Sequence, residues 1–341
     1  MLKAAALLLA LMGMPPELPP VVPTETYTRP AQVVRLPDGR AMNLFCLGSG
    51  APTVILDSGA GQGTSAWSNV QAGIARTTRV CAFDRAGLGF SSPGPMPRDA
   101  GAMVDDQEAM LRAAGLTGPF VLVGHSLGGL NAQLYAFRSP EQVAGMVLID
   151  PSVPDWERRV RGVAPTLMAA ADQARARRRA CADRVIAGGF GPGAAGFEAC
   201  FPPPPESLPP AVRALVAARQ VSADMHRTIN SEADAEAASS AQIERHRRQL
   251  GDLPLIVLTA TGQTYPASIP DEEVSAVRGL WERAHQDIAT LSERGELRRV
   301  KAGHYIGQTR PDVIVAAVQE VVEAARRASA ARPLGSPPAR G

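Results

Sequence analysis

Val121-Leu122-Val123-Gly124-His125-Ser126-Leu127-Gly128-Gly129 joins a strand to a helix through a turn that carries a serine. Phe120 to Val123 is a short apolar run, the pattern of a strand buried on both faces. Leu130 to Arg138 reads as the helix that follows. Between them Gly124 to Gly128 fits G-x-S-x-G, the elbow pattern that sets a nucleophile on a sharp turn. A serine hydroxyl attacks well only if it stands clear of its surroundings and a base can reach it. The turn provides that clearance at the cost of backbone strain at Ser126. It also crowds the positions two before and two after, where Gly124 and Gly128 have no Cβ to clash. The new helix aims its free N–H groups at the place where an oxyanion would form.

Outward from this turn, short apolar runs alternate with helical patterns. Ala31–Leu36 and Met42–Leu47 form a hairpin around Pro37-Asp38-Gly39. Thr53–Leu56, Arg79–Phe83, Phe120–Val123, Met146–Ile149, Leu255–Thr259 and Leu297–Val300 are the remaining strands. Trp67–Thr77, Ala100–Ala114, Leu130–Ser139, Val274–Ser292 and Pro311–Ala328 are the helices between and after them. This rhythm predicts an α/β fold with a mostly parallel sheet covered on both sides. One interval breaks it: residues 151–253 hold no convincing strand and read as helices near Trp156–Ile186, Pro210–Met225 and Glu232–Leu250. An insertion at a strand's C-terminal end should lie over the ligand site, so we expect a helical cap. The core is then residues 31–150 and 254–328. The tail from Ser329 to Gly341 is expected to be disordered.

With 35 basic and 33 acidic residues among 341, the balance gives no sign of a nucleic-acid or membrane partner. The arginines at 158, 159, 161, 175, 177, 178 and 179 read as a solvated helix face, with contact to an anionic substrate or surface as the alternative. Lys3 followed by the apolar run Ala4–Met14 has the form of a signal peptide, too short to span a bilayer. The proline-rich stretch Pro15–Pro30 reads as an extended linker. Export, periplasmic or secreted, is the expectation, and an uncleaved N-terminal anchor is the alternative. Four cysteines suit an oxidising compartment. Sequence alone permits three pairings. Cys46 and Cys81 fall on runs placed as neighbouring strands, and Cys181 and Cys200 flank the glycine-rich loop Gly188–Gly193, so these are the expected bridges. Four free buried thiols are the competing reading.

A serine nucleophile needs a base and an acid behind it. His304, directly after the last strand and before the last helix, is the candidate base. His125 should point away into sheet–helix packing, His285 is read as structural, and His226 and His246 as surface or cap-lining residues. Asp150, at the tip of Val147-Leu-Ile-Asp150, lies one strand over from Ser126 on the same edge, and is the candidate acid. The cluster Asp271, Glu272 and Glu273 is the alternative. Two N–H donors are needed for an oxyanion. Leu127 follows the serine, and Ala60 lies in the glycine-rich loop Ser58–Gly61 after another strand.

Four blocks resemble the α/β-hydrolase superfamily, in particular its capped bacterial serine hydrolases of carboxylesterase type. They are Asp57–Gly61, Phe83–Ser91, Val123–Gly129 and Ala302–Ile306, and the resemblance runs from about Ala31 to Ala328. It implies the catalytic set Ser126, His304 and Asp150, with no metal or cofactor. Asp84 falls in the family's structural D-x-x-G-x-G-x-S turn. Two departures stand out: Ser58-Gly59 replaces the common His-Gly of the oxyanion loop, and no acid ends the Leu255–Thr259 strand. A serine at 126 disfavours members with an aspartate nucleophile. The expected reaction is ester hydrolysis through an acyl-enzyme, with a small-molecule ester as partner and no obligatory protein partner. Amide, lactone, thioester or carbon–carbon hydrolysis, acyl transfer, cofactor-free perhydrolysis and a non-catalytic binding protein are the alternatives. Phe190, Phe197, Phe201, Met168 and Met225 either line an acyl pocket or pack the cap.

Overall fold

The computed structural model describes residues 18–331. The apolar run Ala4–Met14 and residues 332–341 of the tail lie outside them. The sheet has eight strands: β1 Gln32–Arg35, β2 Ala41–Leu47, β3 Val54–Asp57, β4 Val80–Phe83, β5 Phe120–His125, β6 Val143–Ile149, β7 Leu255–Ala260 and β8 Gly295–Val300. Their order is β1-β2-β4-β3-β5-β6-β7-β8. β2 runs antiparallel to both β1 and β4, and every other pairing is parallel. This is the expected mostly parallel sheet with its antiparallel hairpin at one edge.

The strands read as continuous apolar runs because both faces are covered. Ile55, Leu122, Met146, Leu148 and Val257 face one core, shared with the helices Ala100–Ala113, Leu127–Arg138 and Asp271–Ala289. Leu56, Val123, Val147, Ile149 and Leu258 face the other, closed by Gln71–Ala75 and Pro311–Ala331. Consecutive residues alternate between the cores with the period of two that a pleated strand imposes.

Between β6 and β7 the chain leaves the sheet as helices Trp156–Arg161, Pro165–Ala187, Phe197–Cys200, Pro210–Gln220, Ala223–Asp234 and Glu236–His246. Three long patterns are thus cut into shorter pieces. One helix ends at Gln220, for instance, and Ser222 caps the next by accepting from the Met225 N–H. Cys181 is bonded to Cys200 within this insertion, and Cys46 to Cys81 where they face each other across β2 and β4.

Several local expectations are corrected. Residues 18–30 are not simply extended: Thr24–Thr28 forms a 3-10 turn that buries Tyr27, and the Val22 N–H donates to Ser68 O at 2.8 Å. The last helix continues through Ser329 to Ala331 rather than ending at Ala328. The segment 67–77 splits into a 3-10 turn, Thr64–Trp67, and a helix, Gln71–Ala75. The helix after β5 starts at Leu127 rather than Leu130, because Gly128 and Gly129 lie in its tightly packed first turn. Among the described residues, no helix is long and apolar enough to cross a membrane.

Candidate active site

Parallel strands bring β5, β6, β7 and β8 to one edge of the sheet with their C-terminal ends together. Ser126 follows β5 with φ 51° and ψ −117°, a conformation costly for a residue with a Cβ. Its N–H donates to Ile149 O at 3.1 Å, and its carbonyl accepts from Gly129 and Ser152 at 2.9 Å. The glycines beside it have steric reasons. A Cβ on Gly124 would sit 2.2 Å from Gly128 O, and one on Gly128 would sit 2.1 Å from Asp57 O. The helix therefore presses against both β5 and the end of β3, which leaves the serine at the tip.

Asp150 follows β6, wholly buried and at φ 43°. Four donors converge on its carboxylate. Oδ1 accepts from the Ala260 N–H at 2.9 Å and Trp281 Nε1 at 2.8 Å. Oδ2 accepts from Gln263 Nε2 at 3.1 Å and is 2.6 Å from His304 Nδ1. Burial opposes the charge, but the His304 hydrogen bond, the nearby histidines and the Ala260 N–H outweigh it and hold the pKa below its ordinary value. The alternative acids are placed elsewhere. Glu273 accepts from the N–H groups of Thr166 and Leu167 at the start of an inserted helix, and Asp271 and Glu272 open the helix Asp271–Ala289. Asp84 is tied to its turn by Thr64 N, Asn43 Nδ2 and Phe90 N.

His304 is half-buried, with its Nδ1 facing Asp150. Among the described residues no hydrogen bond joins Ser126 Oγ to His304. Such contacts are often loose without substrate and tighten in the reacting complex. His125 links the two segments instead. Its Nε2 is 3.0 Å from the His304 carbonyl, which can only accept, so Nε2 carries the proton. This corrects the expected orientation: the ring lies 4.8 Å from that of His304, over the sheet's C-terminal edge, rather than in sheet–helix packing. Burial, followed by the charge of His304, pushes the His125 imidazole down to about 4. His285 is buried behind Asp150, 2.8 Å from Thr259 Oγ1 and 2.9 Å from the Pro151 carbonyl. His226 is also buried, its Nε2 2.9 Å from Gln220 O, so it is neither a surface nor a cavity residue.

A cavity of about 220 Å³ opens over Ser126, lined by Ala60, Leu127, Leu130, Trp156, Arg175 and Trp281 among others. The N–H groups of Ala60 and Leu127 donate to no protein acceptor among the described residues. None of the five Phe and Met residues considered from sequence lines this cavity. Phe190, Phe197 and Phe201 pack on one another and Met168 packs on Val160 and Val277, all within or beneath the inserted helices. The arginine patch divides. Arg158, Arg161 and Arg179 make exposed ion pairs, whereas Arg175 reaches the cavity beside Glu157. Among the described residues no group of three or more His, Cys, Asp or Glu side chains is placed to hold a metal ion.

Sequence reading missed Gln263, Trp281, Arg85 and Glu232. Gln263 occupies the loop after β7, where no carboxylate stands, and serves as a donor to Asp150. Arg85, in the second motif block, is buried and bonded to Asp57, Ser58, Gly59 and Glu232. No local signal marked it, because its acidic partners Asp57 and Glu232 lie 28 and 147 residues away in sequence.

A strained serine at the tip of β5, Asp150 after the neighbouring β6 and His304 beyond β8 bonded to that aspartate are an arrangement that fits a hydrolase scaffold. The comparisons agree. The family model for the alpha/beta hydrolase fold matches residues 52–184. YqjL of Bacillus subtilis (strain 168), an uncharacterized protein, is 22% identical over 275 residues, 80% of this chain and 85% of its own length. A thermophilic esterase from Thermogutta terrifontis superposes with TM-score 0.55 at 25% identity, covering 86% of this chain and 99% of the esterase. An enol-lactonase from Burkholderia xenovorans LB400 gives TM-score 0.55 at 17% identity over 86% of this chain and 100% of its own, a likeness of fold. The chain has the alpha/beta hydrolase fold, and the family match and the esterase likeness support hydrolase activity.

Proposed function

We propose that the chain is a serine hydrolase that cleaves carboxylic esters through an acyl-enzyme. Ser126 Oγ attacks the substrate carbonyl while His304 Nε2 takes its proton. Asp150 fixes the tautomer in which Nδ1 holds the hydrogen and Nε2 is free to act as base, and it stabilises the imidazolium that forms. The oxyanion is met by the N–H groups of Ala60 and Leu127. His304 then protonates the leaving alcohol, and water, activated by the same histidine, cleaves the acyl-enzyme.

One observation carries this reading: two backbone donors with no protein acceptor among the described residues and the strained serine line a single cavity of about 220 Å³. Free, fixed donors beside a nucleophile are what acyl transfer requires, because they stabilise charge that exists only in the transition state. The esterase likeness at 25% identity supports the ester as the bond cleaved. The two disulfides support action in an oxidising compartment, reached by export.

The test is labelling with a fluorophosphonate probe, with the modified peptide located by mass spectrometry. Labelling is expected at Ser126 and nowhere else, and Ser126→Ala should abolish both labelling and turnover of short-chain p-nitrophenyl esters. A Ser126→Ala variant that still hydrolyses these esters at the wild-type rate would refute the proposal.

A further inference from the structure

The oxyanion loop is held by a charged cluster that the proposed reaction does not itself use. Arg85, Asp57 and Glu232 have side chains 2%, 5% and 1% exposed. Arg85 Nη1 donates to Asp57 Oδ1 at 2.8 Å and to the Ser58 carbonyl at 2.6 Å. Its Nη2 donates to the Gly59 carbonyl at 2.8 Å and to Glu232 Oε2 at 3.2 Å, and its Nε to Glu232 Oε1 at 2.8 Å. Glu232 Oε2 also accepts from the Gly61 N–H at 2.9 Å. Asn131 Nδ2 completes the Asp57 carboxylate at 2.9 Å.

The consequence lies in two peptide planes. The Gly59 carbonyl and the Ala60 N–H belong to one planar trans peptide, so they point in opposite directions. Arg85, together with the Gln62 N–H at 3.1 Å, holds that carbonyl on the protein side, which turns the Ala60 N–H toward the cavity. The next peptide is held from its other end, since Glu232 takes the Gly61 N–H. Ala60 therefore sits between two fixed planes. Glu232 secures both: one directly, and the other by fixing the guanidinium that grips Gly59. Rotation of either plane would take one hydrogen-bond partner from a buried charged group, which is unfavourable.

Glu232 is not part of the sheet scaffold. It is carried on the inserted helix Ala223–Asp234, 147 residues from Arg85 in sequence. Resting on the serine-hydrolase reading above, we propose that Glu232 is a positioning residue that sets the oxyanion donor of Ala60, so that the inserted helices complete the catalytic machinery as well as cover it. This also explains how the loop dispenses with the family's usual His-Gly: with serine at position 58, the cation that organises the loop is Arg85, and its anion comes from the insertion.

The experiment compares the wild-type chain with Glu232→Gln and Glu232→Ala. Measured are the rate of fluorophosphonate labelling at Ser126, kcat and KM for p-nitrophenyl acetate, and the thermal midpoint. The Glu232→Gln change keeps the shape but loses the charge, and it sets an amide NH2 against either Arg85 or the Gly61 N–H. We expect labelling rate and kcat to fall roughly ten- to hundredfold with KM within about threefold, approaching the effect of losing an oxyanion donor. Glu232→Ala should lose at least as much, and if it does not fold, Glu232→Gln decides. A folded variant with wild-type labelling rate and kcat, or a loss confined to KM, overturns the positioning role. A wild-type chain that is not labelled at Ser126 overturns the hydrolase reading beneath it, and the two failures are thereby distinct.

Discussion

Asp150→Asn tests the centre of the proposed mechanism, because the structure dictates how the new amide must turn. Four donors face the carboxylate. Two of them, the Ala260 N–H and Trp281 Nε1, have no alternative role and can only donate. The asparagine oxygen must therefore take the Oδ1 position. Its NH2 is left facing Gln263 and His304, and both of these can adapt. Gln263 can reverse its amide, since its present partner, the Tyr265 hydroxyl at 3.0 Å, can accept as well as donate. His304 can move its proton to Nε2 and accept at Nδ1.

Each polar group that faces position 150 thus remains paired in the variant. We expect a loss of stability of only about 1 kcal/mol, the scale of a charge-assisted bond becoming a neutral one. The cost falls on catalysis. A histidine with its proton on Nε2 offers Ser126 no base, and no anion remains to stabilise an imidazolium. The same change in a serine protease lowers kcat by about 10⁴ with its geometry intact. Here that corresponds to about 5 kcal/mol of transition-state stabilisation. The assay is kcat for p-nitrophenyl acetate alongside a thermal melt. A folded Asp150→Asn variant within about tenfold of wild type would remove Asp150 as the acid. The effect would then have to be sought in another carboxylate, although Glu273 is already committed to the N–H groups of Thr166 and Leu167.

Two further outcomes follow from the same edge of the sheet. Burial and the neighbouring His304 lower the His125 pKa from 6.5 to about 4, so the folded protein keeps the ring neutral where the unfolded chain binds a proton. Its stability contribution is complete above about pH 6.5 and falls by up to about 3 kcal/mol as the pH drops toward 4. His125→Gln, which keeps a donor for the His304 carbonyl, should flatten the thermal midpoint across that window, and an unchanged slope would contradict the assignment. Gly128→Ala should cost about 3 kcal/mol or more, because the added Cβ falls 2.1 Å from Asp57 O and 2.8 Å from Ser58 O. Gly303→Ala, next to His304 but with nothing within 4 Å of its added Cβ, should stay within about 0.5 kcal/mol of wild type. Equal melting points for the two variants would show that the packing of the turn has been misread.

What could be read from sequence, and what could not, divides along the range of the interactions. The strands were legible because burial on both faces leaves an unbroken apolar run, as in Val54–Leu56 and Met146–Ile149, with punctuation at each end. Ser126, Asp150 and His304 were legible as positions because the first two follow directly on β5 and β6 and the third lies four residues past β8, and parallel strands place such residues on one edge. The orientation of His125 was not. Alternation assigns it to the same face as Val121 and Val123, which the last helix covers. At the strand tip that face is closed by the loop carrying His304 instead, and local periodicity ends where the positive φ of Ser126 begins.

The support of the proposed oxyanion loop was beyond any local signal. Arg85 and Glu232 each read as ordinary charged residues, one in a turn motif and one in a helical pattern. Their pairing depends on where an inserted helix lands, and no periodicity encodes that. Because a buried charge must be paired, the sheet scaffold alone would leave Arg85 with a single carboxylate, Asp57, whose own second oxygen is taken by Asn131. The insertion supplies the missing anion. On the proposed reading, a chain trimmed of its inserted helices would therefore lose more than the roof of its cavity: it would lose the group proposed to hold the Ala60 oxyanion donor in place.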